Sequence, residues 1–315
     1  MSDVALSVLF STRNGEQVLP RTLEAYCEIH EPPHRWKLVV VDNGSRDSTL
    51  AILESFKTRL PLEILEQPIA GQNRARNRGL KAFEGQLAIL TDDDAIPDPS
   101  FLTAWSKYLD KCPDYELFGG SIEPVFDAPP PQWMLKSKSQ LGMLFAVRDL
   151  PEGPISPNDI YGPNMAVRSS VFAAGHRFDE NFGPDGTDPH YPMGAETEFY
   201  RRLTRCGAKA WFAQEPRVYH IIRANQVAWP NVANRSYRHG RGVARLMQQG
   251  GDAAPLSVRH PAAMHQLSRL RYWLRILSPF PLQRFNGACD YHWMRGFLDE
   301  WAKTTTARRP PPNGL

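Results

Sequence analysis

Short apolar runs alternate with amphipathic segments along the first half of the chain. The run from Val4 to Phe10 (VALSVLF) stops at the polar Ser11-Thr12-Arg13-Asn14-Gly15 and reads as a strand. Val18 to Ile29 then places Leu19, Leu23, Tyr26 and Cys27 at helical spacing. Lys37 to Val41 (KLVVV) predicts a second buried strand ending at Asp42-Asn43-Gly44-Ser45. Asp47 and Ser48 can cap the next helix, whose apolar face is Leu50, Ile52, Leu53 and Phe56. Leu62 to Leu65 predicts a third strand, Gly71 to Phe83 an arginine-rich helix, Gln86 to Thr91 a fourth strand and Ser100 to Leu109 another helix. Such alternation implies a parallel, doubly wound sheet with right-handed crossovers, in which ligands sit beyond the carboxyl ends of the strands. Thr12-Arg13-Asn14, Asp42-Asn43-Gly44 and Asp92-Asp93-Asp94 each follow such an end and should line one edge.

After Cys112-Pro113 the pattern changes. Leu117 to Phe126 (LFGGSIEPVF) reads as a strand whose glycine pair lets a ligand or another backbone come close. Pro129-Pro130-Pro131 opens a proline-spaced stretch reaching Pro157. Its Trp133, Met134, Leu135, Leu144 and Phe145 are too apolar for a flexible linker, so it is expected to form loop and short helices near the site. Tyr161 to Val167 brings another strand with Asn164 near its start, and Gly183 to Met193 an irregular loop. Glu196 to Cys206 has Phe199, Leu203 and Cys206 on one helical face, and Gly207 ends it. Ala210 to Ala213 and Val218 to Ile222 predict two more short strands, the second carrying His220, whose default reading is a packed core histidine.

Composition adds limits. With 42% hydrophobic and 23% charged residues the chain is an ordinary globular one. No apolar run approaches the roughly 18 residues that span a bilayer, and no apolar leader follows Met1-Ser2-Asp3, so a cytoplasmic protein is expected. Four scattered cysteines indicate neither a zinc site nor a disulfide framework. The net charge of +3 hides an asymmetry. From Asn231 to Leu315 there are 13 Lys and Arg against 4 Asp and Glu, which leaves 24 against 30 in the first 230 residues. An acidic body with a basic tail suggests that the tail meets something anionic, and it disfavours the continuous basic face of a nucleic-acid binder.

The acidic triplet Asp92-Asp93-Asp94 carries the sharpest chemistry. Adjacent carboxylates beside a buried strand repel one another, and a cation relieves that repulsion. Hard oxygen ligands suit Mg2+ or Mn2+, with substrate phosphates completing the shell. A solvated turn capping the helix after Asp98-Pro99-Ser100 competes with this reading, and the convergence of three polar clusters on one edge favours the cation. Neither GxGxxG nor GxxxxGK[ST] is present, which disfavours dinucleotide and P-loop folds. Diphosphate charge would fall to the metal and to one of Arg74, Arg76 or Arg78.

Taken in order, these segments resemble the family 2 glycosyltransferases of the GT-A fold, from Val4 to Gly242. Val41 to Thr49 (VDNGSRDST) resembles the family's VDDGSxDxT segment, with Asn43 in place of the second acid. By similarity Asp42 would hydrogen-bond the nucleobase, usually uracil, with Thr12, Arg13 and Asn14 on the same donor side. Gly71, Ala75-Arg76-Asn77 and Gly79 resemble a G…ARNxG segment that singles out Arg76 for the diphosphate. The acidic triplet resembles the DxD signature, which implies Asp94 as metal ligand and Asp92 and Asp93 at the ribose or at metal-bound water. Tyr161 to Met165 with Arg168, and Phe178-Asp179-Glu180, resemble the acceptor-side segment and put Asn164 there. Gly194 to Phe199 (GAETEF) is similar to the GEDTEF-like motif, although Ala195 replaces the first acid and Glu196 stands where aspartate is usual. This implies Glu196 as general base and Glu198 on the acceptor side. Val218-Tyr219-His220 resembles the late histidine that completes the metal shell.

The resemblance implies an α/β, Rossmann-like GT-A fold, a mixed and mainly parallel sheet flanked by helices. The catalytic domain would span 1–230, with a nucleotide-sugar half (1–115) and an acceptor half (116–230), followed by a basic helical extension (231–315). It implies inverting transfer from a nucleotide sugar, UDP-linked as is usual, to a saccharide, lipid-linked or small-molecule hydroxyl, with Mn2+ or Mg2+. Arg235, Arg238, Arg241 and Arg245 are expected to cover the cleft near phosphate. From Met264 to Leu277, Met264, Leu267, Leu270, Trp273, Leu274 and Leu277 form an apolar stripe beside Arg269, Arg271 and Arg275. Such a helix can lie peripherally on the inner face of an anionic membrane, but packing on the catalytic domain is the favoured expectation. Pro310-Pro311-Pro312 is expected to lack regular structure. Two alternatives are a sugar-nucleotide nucleotidyltransferase, whose Gly-rich Lys-bearing loop is missing, and a non-catalytic sugar-binding relative, which would be expected to lose Asp42, Asp94 and Glu196.

Overall fold

The computed structural model describes residues 4–251 and 261–307, so Pro310–Pro312 lies outside the described residues. Four strands run parallel, because the intervening chain supplies a helix for each crossover. β1 (Val4–Thr12) lies between β2 (Arg35–Asp42) and β4 (Leu87–Thr91), and β3 (Leu62–Glu66) flanks β2. The crossovers are α1 (Leu19–Cys27), α2 (Thr49–Phe56) and α3 (Gln72–Gly79).

Beyond β4 antiparallel pairs enter the sheet. β8 (Asn164–Arg168) pairs with β4, β6 (Leu117–Phe126) with β8, and β9 (Ala210–Ile222) follows. β5 (Ala95–Pro97) and β7 (Gly153–Pro154) both pair antiparallel with β9. The helices of the second half of this unit are α4 (Phe101–Asp110), the short α7 (Ser169–Ala173) and α8 (Ala195–Arg205).

Side chains alternate between two cores, one on each face of the sheet. Leu6, Val8 and Phe10 of β1 share a core with α1 and α4, while Leu9 belongs to the opposite core with Phe199, Tyr200 and Leu203 of α8. The same alternation splits Leu87 and Ile89 from Ala88 and Leu90 on β4.

β9 is one strand of 13 residues rather than the two predicted. Pro216 has no N–H to give the ladder, and side chains bind the carbonyls there instead. Ser121 Oγ donates to Gln214 O at 2.7 Å, and Asn164 Nδ2 donates to Pro216 O and Ser121 O at 2.9 Å each. Of the β6 glycine pair, Gly120 makes room for this strut, since a Cβ on it would lie 2.3 Å from Asn164 Nδ2, and Gly119 lets the backbone of Ile160 come close, its Cβ falling 3.5 Å from Ile160 Cα.

The chain forms two compact units. The first holds the described residues up to Val125, Phe145–Gly186 and Ala195–Ile222. The second holds Phe126–Leu144, Thr187–Gly194 and the described residues from Arg223 on. The expected cut at residue 230 therefore moves to 222, and two earlier segments join the C-terminal helices. The reason lies in the contacts of α9 (Trp229–Gly250) and the last helix α11 (Pro281–Ala307). Met193 N donates to Arg238 O at 3.2 Å, Arg241 reaches Asp188 Oδ2 at 2.8 Å, and the Trp133 and Phe285 rings meet at 5.0 Å. Gly240 and Gly296 bring α9 and α11 into backbone contact, since a Cβ on either would fall 1.9 Å from a carbonyl oxygen of the other helix.

α5 (Gln132–Leu135) and α6 (Lys138–Phe145) are the short helices expected in the proline-spaced stretch. α10 (Pro261–Ile276) confirms the predicted helix but corrects its favoured packing. Met264 packs inward on Ala244, Phe297 and Leu298, whereas Leu267, Leu270, Trp273, Leu274 and Leu277 are exposed.

Candidate active site

β4 delivers the acidic triplet at its carboxyl end, where Thr91 Oγ1 donates to Pro163 O at 2.7 Å. Each acid is then held by a different element. Asp93 Oδ2 accepts from Thr12 Oγ1 at 2.6 Å, and its carbonyl accepts from Thr22 Oγ1 at 2.8 Å. The Asp94 carbonyl accepts from Ile221 N at 2.8 Å, which docks β5 on β9 with Ala95 opposite His220. This pairing sets His220 Nε2 3.4 Å from Asp94 Oδ1. His220 is 4% exposed, and its Nδ1 lies 2.7 Å from Phe145 O. A carbonyl only accepts, so Nδ1 carries the proton and Nε2 is the nitrogen turned to the carboxylate.

Asp92 faces the other way. Its Oδ1 lies 3.7 Å from Arg76 Nη2 and 3.4 Å from Gln72 Nε2. Burial pushes the Asp92 carboxyl up to about 6, the Asp94 and Glu196 carboxylates add to the rise, and Arg76 and His220 oppose it. Arg76 is 3% exposed, with Nη1 donating to Asn73 Oδ1 at 3.3 Å and its guanidinium 5.4 Å from the Phe178 ring centre. Glu196, in the first turn of α8, closes the group. A Cβ added to Gly162 would lie 3.1 Å from Glu196 Oε1, 3.4 Å from Arg76 Nη2 and 3.6 Å from Asp92 Oδ2. The absence of a side chain at residue 162 therefore leaves a small gap lined by two carboxylates and a guanidinium. Tyr200, one turn after Glu196, is fully buried with an unpartnered hydroxyl.

On the β2 side, Asp42 is paired in register with Thr12 and is 6% exposed. Both its carboxylate oxygens lie 3.3 Å from Ser45 N. Asn43, where the family pattern has an acid, braces the loop: its Oδ1 accepts from Gly71 N and its Nδ2 donates to Gln67 O and Ile69 O. Asn14 adopts a left-handed φ of 54° that asparagine tolerates, and its Oδ1 accepts from Arg46 N at 2.9 Å. Arg13 is exposed beside Gly186.

The structure thus brings Thr12, Asp42, Arg76, Asp92, Asp93, Asp94, Glu196 and His220 to one end of the sheet, and it redirects three other expected residues. Asn164 is 0% exposed and bound to carbonyls of β6 and β9, so it is a strut and not an acceptor contact. Glu198 is bound by Arg202, at 2.8 Å to Oε1 and 3.2 Å to Oε2, and is occupied within its own helix. Arg241 is 6% exposed and paired with Asp188 and Glu300, so it is tied to carboxylates rather than offered to phosphate. Gln72 and Gly162 escape the sequence reading. Gln72 sits next to the Gly71 that the motif includes, but nothing in the sequence points to the gap at Gly162.

The sequence profile described as Glycosyl transferase family 2 matches residues 7–175. Poly(ribitol-phosphate) beta-N-acetylglucosaminyltransferase TarS of Staphylococcus aureus is 30% identical over 107 residues, covering 33% of this chain and 19% of that protein. Glycosyltransferase AglE of Haloferax volcanii is 25% identical over 243 residues, covering 76% of this chain and 73% of that protein. Among solved structures, S. aureus TarS 1-349 superposes over 98% of this chain and 93% of its own, with TM-score 0.54 and 14% identity. The mannosyltransferase PcManGT of Pyrobaculum calidifontis covers 99% of this chain and 78% of its own, with TM-score 0.56 and 15% identity. These neighbours share the GT-A arrangement, a mixed sheet flanked by helices. The chain belongs to glycosyltransferase family 2.

Proposed function

We propose that the chain transfers a sugar from a nucleotide-sugar donor, UDP-linked, to an acceptor hydroxyl with inversion at the anomeric carbon. The observation that carries this reading is the meeting of Asp92, Arg76 and Glu196 around Gly162, with the Asp94–His220 pair on the next residues of the same strand end. Solved structures of the fold neighbours in complex with UDP-GlcNAc, and with GDP-Man and Mn2+, support a nucleotide-sugar donor.

The donor set fits a divalent cation. Among the described residues no group of three or more His, Cys, Asp or Glu side chains converges as a ready metal site. One carboxylate and one imidazole suffice where substrate phosphates complete the shell. Asp94 Oδ1 and His220 Nε2 would hold the ion, and the Nδ1–Phe145 O bond fixes the imidazole for it. When bound, a cation there supplies charge stabilisation to the departing nucleoside diphosphate.

The remaining work falls to side chains. Asp42, at the end of β2, accepts from an N–H of the nucleobase. Arg76 places a fixed positive charge beside the diphosphate and holds Asp92. Glu196 takes the proton of the acceptor hydroxyl as its oxygen bonds to the anomeric carbon. The bond from that carbon to the diphosphate oxygen breaks with its electron pair on the diphosphate. A single displacement with one base inverts the centre.

Thermal stabilisation by UDP-, GDP- and TDP-sugars, each with and without Mn2+, tests the proposal. UDP-sugars with Mn2+ are expected to raise the melting temperature most. Stabilisation by none of them would sink it.

A further inference from the structure

Among the described residues, six of the ten exposed large hydrophobic side chains lie between Leu267 and Phe280. Their exposure runs from 43% at Leu267 to 77% at Leu277. With 3.6 residues per turn, Leu267, Leu270, Trp273 and Leu274 occupy one arc of α10 about 120° wide, and Leu277 follows one residue past its end. Arg269 and Arg271, both exposed, fall just outside the two edges of that arc. The opposite side of the helix is already satisfied: Tyr272 stacks on Tyr291 at 4.8 Å, and Met264 packs on Phe297 and Leu298. The helix therefore has two apolar faces, and only one is covered by the chain itself.

α10 contains no Asp or Glu. Beside the exposed arc opens a groove of about 170 Å³ lined by Leu267, Arg271 and Arg275, with Arg275 paired to Asp290. An apolar arc edged on both sides by guanidinium groups matches a surface that is apolar beneath and anionic above.

We propose that this face of α10 docks on an anionic lipid surface. The leucines and Trp273 enter the boundary between headgroups and acyl chains, and Arg269 and Arg271 reach the lipid phosphates. A second copy of the chain fits less well, because a two-fold contact would bring these arginines together with no acid from α10 between them. The proposal is independent of the transfer chemistry.

Flotation of the full chain with phosphatidylcholine vesicles, with and without phosphatidylglycerol, provides the test. Retention on the phosphatidylglycerol vesicles that weakens with salt is expected. Trp273→Glu with Leu274→Glu is expected to abolish retention at an unchanged melting temperature, since both side chains are exposed. Arg269→Gln and Arg271→Gln should each lower retention roughly fivefold on anionic vesicles only. Failure to float, flotation unaffected by the Glu pair, or equal retention on both vesicle types overturns the proposal. A dimer in sedimentation that Leu274→Glu dissociates, without flotation, would assign the face to a second copy instead.

Discussion

Glu196 and Glu198 stand in the same first turn of α8, where either could serve the helix dipole, yet their surroundings differ. Glu198 has Arg202 one turn on; Glu196 has Gly162, Arg76 and Asp92. Glu196→Gln is therefore expected to cut turnover at least about a hundredfold without moving the melting temperature, as loss of a general base does. Glu198→Gln should retain turnover and cost at most about 0.5 kcal/mol, the worth of an i,i+4 pair. Parallel transfer assays and melts on the two variants separate them. Gly162→Ala should also suppress turnover in a folded protein, because its methyl would stand 3.1 Å from Glu196 Oε1. The distinction between the two glutamates was legible in part: Glu198–Arg202 has the spacing of a helical ion pair, and Glu196 has no such partner. The gap at Gly162 was not legible, because it exists only where three distant segments meet.

At the scale of elements, apolar alternation located the four parallel strands and their helices within a few residues. It missed the continuity of β9, because Pro216 reads as a break unless the asparagine that binds its carbonyl is known. Asn164→Ala should remove both of the hydrogen bonds that Asn164 donates and cost about 2–4 kcal/mol, seen as a lower denaturant midpoint at unchanged slope. The glycines of α9 and α11 carry the opposite lesson. Alanine for glycine inside a helix ordinarily stabilises by up to about 1 kcal/mol. Gly240→Ala is expected to destabilise instead, since the added Cβ would sit 1.9 Å from Trp293 O. The same substitution at a solvent-facing helix position is the control for the melt. For α10, periodicity gave the stripe but not its direction, which depends on which neighbour reaches which face.

On the scale of the whole molecule, the helical unit carries an acid-sensitive element. In the helical unit, burial holds His239 down to about 4 and also lowers His292, each helped by a nearby arginine. His239 Nδ1 accepts from Trp293 Nε1 at 2.8 Å, which requires the neutral ring. In the unfolded chain these histidines take protons near 6.5, so their stabilising effect is complete above that pH and is lost as pH falls, for His239 down to about 4. The expected loss for His239 is about 3 kcal/mol, and His239→Gln should flatten the melting temperature between pH 6.5 and 4. The charge asymmetry of the sequence pointed to this end of the chain, but only packing shows that some of its cations are spent internally, as Arg241 is on Asp188 and Glu300.

The hydrogen bond from Ile221 N to the Asp94 carbonyl has a consequence for how the protein is made. A ribosome finishes the three acids long before it reaches β9, and until then neither His220 nor this backbone clasp exists. The nascent parallel strands must wait without that clasp and without the imidazole beside Asp94, so the candidate site is among the last features to mature. On refolding, donor affinity should return after the tryptophan signal of the sheet core has recovered.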